Sequence, residues 1–293
     1  MKVFVTGAAG QLGHDVVREL AARGHEAVGS DREAGIPLDI TDREAVRAVL
    51  SAVRPEAVIH CAAWTAVDAA EAPENRERVH AVNGLGPRYI AEACRELGCK
   101  MLHISTDYVF DGRGTAPWTP DCTDYGPLSV YGQSKLEGEQ AVAELLQRYF
   151  IVRIAWAFGP NGANFVRTML RLAQTHDTLR VVCDQIGTPT YTPDLARLLA
   201  DMVETNRYGI YHATNEGGYI SWYDFACEIF RQAGKNVRVL PVTSAEYGQS
   251  QAARPMNSRL DKSKLPQNGF APLPDWRDAL GRYLNILQET KQP

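Results

Sequence analysis

The 293-residue sequence contains no Cys-x-x-Cys, no His-x-His and no His-Glu-x-x-His pattern. A redox dithiol and a zinc site of the common spacings are therefore not spelled out, and no metal site is expected from them. Six cysteines, at 61, 94, 99, 122, 183 and 227, are scattered and read as free thiols in a reducing cytoplasm. No apolar run approaches the roughly 20 residues of a membrane-spanning helix, and residues 1–7 are too short for a signal-peptide core. A net charge of −4 leaves no electrostatic footprint for nucleic acid or an anionic membrane. Internal repeats and low-complexity tracts are absent. What remains is a soluble globular composition, 45% hydrophobic and 23% charged, long enough for one large α/β domain or two smaller ones.

The chain opens with Lys2-Val3-Phe4-Val5-Thr6, a strand-like run, then Gly7-Ala8-Ala9-Gly10-Gln11-Leu12-Gly13 and a helical stretch over residues 14–23. Strand, glycine-rich turn and helix are the context that a dinucleotide fingerprint requires. Gly7 would allow the tight turn, Gly10 the approach of a pyrophosphate, and Gly13 close packing of helix on strand. The phosphates would rest on the helix N-terminus, where free N–H groups favour anions. A second strand ends at Asp31-Arg32. Asp31 stands where an acid grips an adenosine ribose hydroxyl, favouring NAD, whereas Arg32 would meet a 2′-phosphate, favouring NADP. The two argue opposite ways. Asp39-Ile40 would reach the adenine or make an ordinary turn before the helix over residues 42–53.

Ala57-Val58-Ile59-His60-Cys61-Ala62-Ala63 reads as a strand buried on both faces, and the small Ala62 and Ala63 leave room for a cofactor. Lys100-Met101-Leu102-His103-Ile104-Ser105-Thr106 is a second such strand, with Asp107 following it, and Phe150-Ile151-Val152-Arg153-Ile154-Ala155-Trp156 a third. Strand–helix alternation to about residue 155 predicts a doubly wound, Rossmann-like parallel sheet with ligands at the carboxyl ends of its strands. Thr106 lies at such an end and serves either the site or the next turn. Trp156 either stacks on a base or sugar or belongs to the core. The expected division is a dinucleotide-binding domain over 1–160, with 190–212 returning to it, and a smaller mixed substrate-binding subdomain mainly over 161–293.

Tyr131-Gly132-Gln133-Ser134-Lys135 begins a predicted helix, and residues four apart share one helical face. A cation beside the phenol would favour phenolate and lower a pKa that starts near roughly 10, making Tyr131 a candidate proton donor and acceptor. Alone, such a pair is a weak signal. Near the C-terminus, Arg254-Pro255-Met256-Asn257-Ser258-Arg259-Leu260 is a donor-rich loop that would hold phosphates through Arg259 or form a surface turn.

Together, Gly7 to Gly13, Thr106, Tyr131 and Lys135 resemble the extended short-chain dehydrogenases, which act largely on nucleotide sugars. More narrowly, the chain is similar to the dTDP-4-dehydrorhamnose reductase family. Ala63-Trp64-Thr65-Ala66-Val67-Asp68, Ser105-Thr106-Asp107-Tyr108-Val109-Phe110, Leu128-Ser129-Val130-Tyr131-Gly132-Gln133-Ser134-Lys135, Asp184-Gln185-Ile186-Gly187-Thr188-Pro189-Thr190 and the 254–260 loop carry that likeness. The resemblance implies reduction of a dTDP-4-keto sugar with NADPH or NADH. Tyr131 would donate the proton, Lys135 would tune Tyr131 and hold the nicotinamide ribose, and Thr106 would bond the keto oxygen. Thr65, Val67, Asp107 and Trp156 would line the sugar pocket, with Asn257, Ser258 and Arg259 near the sugar nucleotide. Some members hold Mg²⁺ through acids at a dimer interface. Asp15 would fill one such place, but Pro193 stands where an acid is expected, with Asp194 one position along, so monomer and homodimer both stay open. An epimerase of the same fold and a non-catalytic dinucleotide-binding subunit, resembling the methionine adenosyltransferase β subunit, are the rival readings. The intact Ser105-Thr106-Asp107 argues against the second.

Overall fold

Apolar residues two apart point to the same side of a strand, and the core is built on that alternation. In the computed structural model, which describes residues 1–248 and 250–289, β1 (Lys2–Thr6) sends Val3 and Val5 to one side and Phe4 to the other. β2 (Glu26–Asp31), β3 (Ile36–Pro37), β4 (Ala57–His60), β5 (Lys100–Thr106) and β6 (Tyr149–Ile154) join β1 in a sheet that the strand Gly209–His212 completes. The spatial order is Gly209–His212, β6, β5, β4, β1, β2, β3, with every pairing parallel. Parallel neighbours need crossovers. Helices α1 (Gln11–Ala22), α2 (Arg43–Val53), α3 (Val67–Ala70), α4 (Pro73–His80), α5 (Gly86–Leu97) and α6 (Val130–Leu145) fall between successive strands.

Both faces are covered. Val3, Val5, Ile59, Leu102 and Val152 pack with Val16 and Leu20 of α1 and Leu195 and Leu199 of a later helix, residues 192–203. On the other face Phe4, Val58, Met101 and Ile151 meet Val46 and Leu50 of α2, Ile90 of α5 and Val142 of α6. The fold is therefore the doubly wound, Rossmann-like sheet that the alternation predicts. A separate aromatic core, with Phe158, Tyr191, Phe225, Trp276 and Tyr283, forms from segments after residue 157.

Local boundaries differ where backbone geometry overrides apolar character. Gly10, extended at φ −73° and ψ 176°, is the N-cap of α1, so that helix starts at Gln11 rather than at 14. β4 stops at His60, leaving Cys61 to Ala63 outside the sheet, and β6 stops at Ile154. Trp156 has φ +51°, a left-handed value uncommon for a bulky residue and able to turn its ring out of the strand path.

Behind the sheet end, Arg153 lies fully buried and bridges Glu139 on α6 through Nε (2.9 Å) and Nη2 (2.7 Å). Nη2 also donates to the Tyr125 hydroxyl, and Nη1 meets the Pro120 carbonyl and His212 Nε2. Removing one member would strand a buried charge. Glu139→Ala should destabilise the fold by about 3–5 kcal/mol, whereas Glu92→Ala, which breaks a surface pair with Arg43, should cost under about 1 kcal/mol. Urea unfolding of both variants checks the contrast, and equal costs would contradict it.

Candidate active site

β1 and β4 are neighbours, yet the chain leaves β1 for β2 on the far side. The loops after β1 and β4 thus meet at the point where strand order reverses, the usual ligand crevice of such sheets. The contact is tight. A Cβ added to Gly7 (φ +67°) would lie 2.7 Å from the Ala62 nitrogen, and one on Gly13 would lie 2.1 Å from the Gly7 carbonyl oxygen. Gly13 therefore lets α1 close on its own turn rather than on the strand. Gly10 caps α1 without a side-chain bond, which leaves the helix N-terminus with free N–H groups facing the crevice. This cradle fits a dinucleotide pyrophosphate.

From it extends a cavity of about 630 Å³, within the range of roughly 300–1,000 Å³ for small-ligand sites. Gly7, Gly10, Gln11, Leu12, Asp31, Arg32, Asp39, Ile40, Ala62, Ala63, Thr65, Val67, Thr106, Asp107, Tyr131, Lys135 and Trp156 all line it. The structure thus gathers most of the sequence candidates around one space. Gly13, Asn257, Ser258 and Arg259 are not among the lining residues. Asn257 is buried and ties down the preceding loop by donating to the Arg113 and Ala116 carbonyls, and its Oδ1 accepts from Arg259. Ser258 reaches the site indirectly, as a neighbour of Asp107 that lowers its carboxyl pKa.

At the outer end, Asp31 accepts from the Ala9 amide (3.1 Å), which fastens β2 to the glycine turn. Arg32 lines the same end, and so does Arg78 of α4, which the sequence reading missed. Both guanidinium groups lower the carboxyl pKa of Asp39, after the larger effect of hydrogen bonds from Thr41. Trp222, also missed, stacks on Trp156 with ring centroids 3.9 Å apart.

At the inner end, Ser129 caps α6 by accepting from the Gly132 amide, and the first two turns deliver Tyr131 and Lys135 to the carboxyl end of β5. The Lys135 ammonium, buried, donates to the Ile104 carbonyl at 2.7 Å. Thr106 Oγ1 donates to Asp107 Oδ1 at 3.1 Å, and Thr106 stands close enough to the Tyr131 hydroxyl to influence its titration. The expected depression of the Tyr131 pKa is not what this arrangement gives. Burial is the dominant influence and raises it; Thr106 lowers it, while Asp107 and Tyr108 raise it further. Burial also pushes Lys135 down to about 8, against Glu139 and Cys61, which raise it. The site thus holds Tyr131 as a neutral phenol, the form a proton donor needs.

Asp15, the acid raised for Mg²⁺, and Asp194, one position past Pro193, are both engaged within the chain. Asp15 Oδ2 accepts from Thr192 (2.6 Å), and both Asp194 oxygens take the Arg282 guanidinium at 2.8 and 2.6 Å. With Asp194 neutralised by a cation of the chain itself, these residues do not fit a bound Mg²⁺. Among the described residues no group of three or more His, Cys, Asp or Glu gathers for a metal.

Comparison with known proteins places this geometry. The family model described as RmlD substrate binding domain matches residues 1–289. The chain belongs to the RmlD family. A Streptomyces griseus relative named dTDP-4-dehydrorhamnose reductase is 46% identical over 94% of this chain and 91% of its own length. A Streptomyces niveus relative named dTDP-4-keto-6-deoxy-D-glucose reductase is 40% identical over 97% and 96%. The structure of dTDP-4-dehydrorhamnose reductase from Bacillus anthracis in complex with NADP superposes with a TM-score of 0.91 at 41% identity, covering 97% of this chain and 99% of that one.

Asp107 gives this site a pH signature. Burial raises its carboxyl from the ordinary 3.8 to about 6, against lowering bonds from Ser258 and Thr106, and Oδ2 has no partner among the described residues. Protonation therefore favours the folded state. The stability it contributes is complete below about pH 4 and is lost as pH rises through 6, an effect of about 3 kcal/mol. Relative to wild type, Asp107→Asn should gain stability across that window in urea unfolding. A difference that does not change with pH would contradict the assignment.

Proposed function

We propose that the chain reduces the C4 keto group of a dTDP-4-keto-6-deoxy sugar, dTDP-4-dehydro-β-L-rhamnose first among them, to the alcohol with NADPH or NADH. The observation that carries this reading is the convergence of Tyr131, Lys135 and Thr106 on the cavity that begins at the glycine turn. Relatives named as reductases of such sugars, aligned over nearly the whole chain, support it.

The dinucleotide supplies a hydride at its nicotinamide. The chain supplies everything else. Gly7 and Gly10 admit the pyrophosphate to the α1 N-terminus, Asp31 or Arg32 and Arg78 meet the adenosine ribose, and Ala62 and Ala63 leave its path clear. At the far end, Thr106 turns its hydroxyl from Asp107 to the keto oxygen. Tyr131 gives its proton to that oxygen as hydride adds at C4, so the ketone gains one hydride and one proton. A donor placed where negative charge develops lowers the barrier. Lys135, anchored on Ile104, sets a positive charge along the helix from Tyr131 that stabilises the resulting phenolate and holds the nicotinamide ribose. Thr65, Val67 and Trp156 enclose the sugar, and Asp107 accepts from a sugar hydroxyl.

The same reading divides the chain into a cofactor domain, residues 1–160 with 190–212, and a substrate subdomain over the remainder. It also makes the protein a cytoplasmic enzyme working as a monomer or homodimer. No helix among the described residues is long and apolar enough to cross a membrane.

The test follows NADPH and NADH oxidation at 340 nm (the absorbance of the reduced nicotinamide) with the 4-keto sugar nucleotide generated in place. Wild type should turn over, and Tyr131→Phe should lose about 10²–10⁴-fold in kcat, the span of general acid catalysis. Cofactor binding without oxidation of either nucleotide would move the reading to an epimerase or a non-catalytic subunit.

A further inference from the structure

Asp68 gathers more donors than a half-exposed carboxylate needs. Its Oδ1 accepts from the amides of Gln251 and Ala252, both at 3.1 Å, and its Oδ2 from Arg254 Nη2 at 2.6 Å. Arg254 does not stop there. Nη1 donates to the Tyr108 hydroxyl at 3.3 Å and Nε to Ser250 at 3.2 Å. Tyr108, in turn, meets Tyr131 edge to face, with ring centroids 5.4 Å apart. A segment more than 180 residues away in sequence is thereby stitched to α3, whose Val67 lines the cavity, and to the aromatic neighbour of the proposed proton donor. Four residues further on, the Ser258 amide donates to the Ile186 carbonyl at 2.8 Å, which fastens the far end of the segment.

An ion pair this exposed, with the side chains of Arg254 and Asp68 28% and 42% accessible, contributes little to stability. Its geometry is what it offers. We propose that Asp68 and Arg254 are positioning residues: a strap that holds residues 250–254 against α3 beside the sugar end of the cavity and, through Tyr108, sets the placement of Tyr131. Because the planar guanidinium serves Asp68 and Tyr108 from separate nitrogens, a lysine cannot replace it at both. The strap leaves the glycine turn and the adenosine end untouched, so its loss falls on the sugar and not on the dinucleotide.

This inference rests on the reductase reading, and the experiment separates the two. Asp68→Asn, Arg254→Lys and Tyr108→Phe should each lower kcat/KM for the keto sugar nucleotide, by about tenfold to a hundredfold for the first two, as misplacement of a reacting group does. The NADPH Kd, read by fluorescence titration, should stay within about twofold, since no strap residue reaches the cradle. Asp68→Asn combined with Tyr108→Phe should be no worse than the poorer single variant, because Arg254 links the two. Unchanged kcat/KM, additive losses or an equal loss of NADPH binding would overturn the strap. If wild type fails to reduce any keto sugar nucleotide, the reductase reading falls. The strap is then decided by hydrogen exchange at the Gln251 and Ala252 amides in Asp68→Ala: faster exchange supports it and unchanged protection refutes it.

Discussion

The hydrogen bond from the Lys135 ammonium to the Ile104 carbonyl fastens the start of α6 to the carboxyl end of β5. That single bond decides where a buried cation sits and, through the helical repeat, where Tyr131 points. It is supported from both sides. Ser129 caps the helix ahead of it, and one turn beyond Lys135 the carboxylate of Glu139 is locked by fully buried Arg153. Tyr131, Lys135 and Glu139 thus form one stripe, spaced by four, against the sheet end. A charge withdrawn from water this far is tolerated only where a partner and an acceptor are fixed in place. The architecture behind the site supplies both.

Much of this was legible in the sequence because it rests on local rules. Continuous apolar runs marked the strands, glycine spacing the turn, and a four-residue interval the Tyr131–Lys135 face. Each is a constraint between residues close in the chain. Arg78, Trp222 and Tyr108 were not legible as site residues, because only long-range packing brings α4, a C-terminal helix and the turn after β5 to one cavity. The Asp68–Arg254 contact is of the same kind. No local pattern pairs residues so far apart.

One expectation failed, and one alternative is filled in, for physical reasons that spacing cannot carry. The pair at 131 and 135 suggested a phenol acidified by its neighbour, but burial outweighs that effect and keeps the phenol protonated. The donor-rich loop after residue 254 read as a phosphate holder or a surface turn. In the structure Asn257 spends its side chain on the backbone of the 113–116 loop, and Arg259 donates to Asn257. In both cases the sequence shows which groups are present, while the dielectric around them and their partners are set by the fold.

The account's central claim is that one cavity brings a nicotinamide to the C4 carbon of a keto sugar beside Tyr131. NADPH deuterated at the transferring nicotinamide position tests this most directly, with the product sugar read by mass spectrometry and NMR. The account predicts one deuterium per product molecule, bound at sugar C4 in a single configuration. Product without deuterium, or with deuterium at any other carbon, would contradict it.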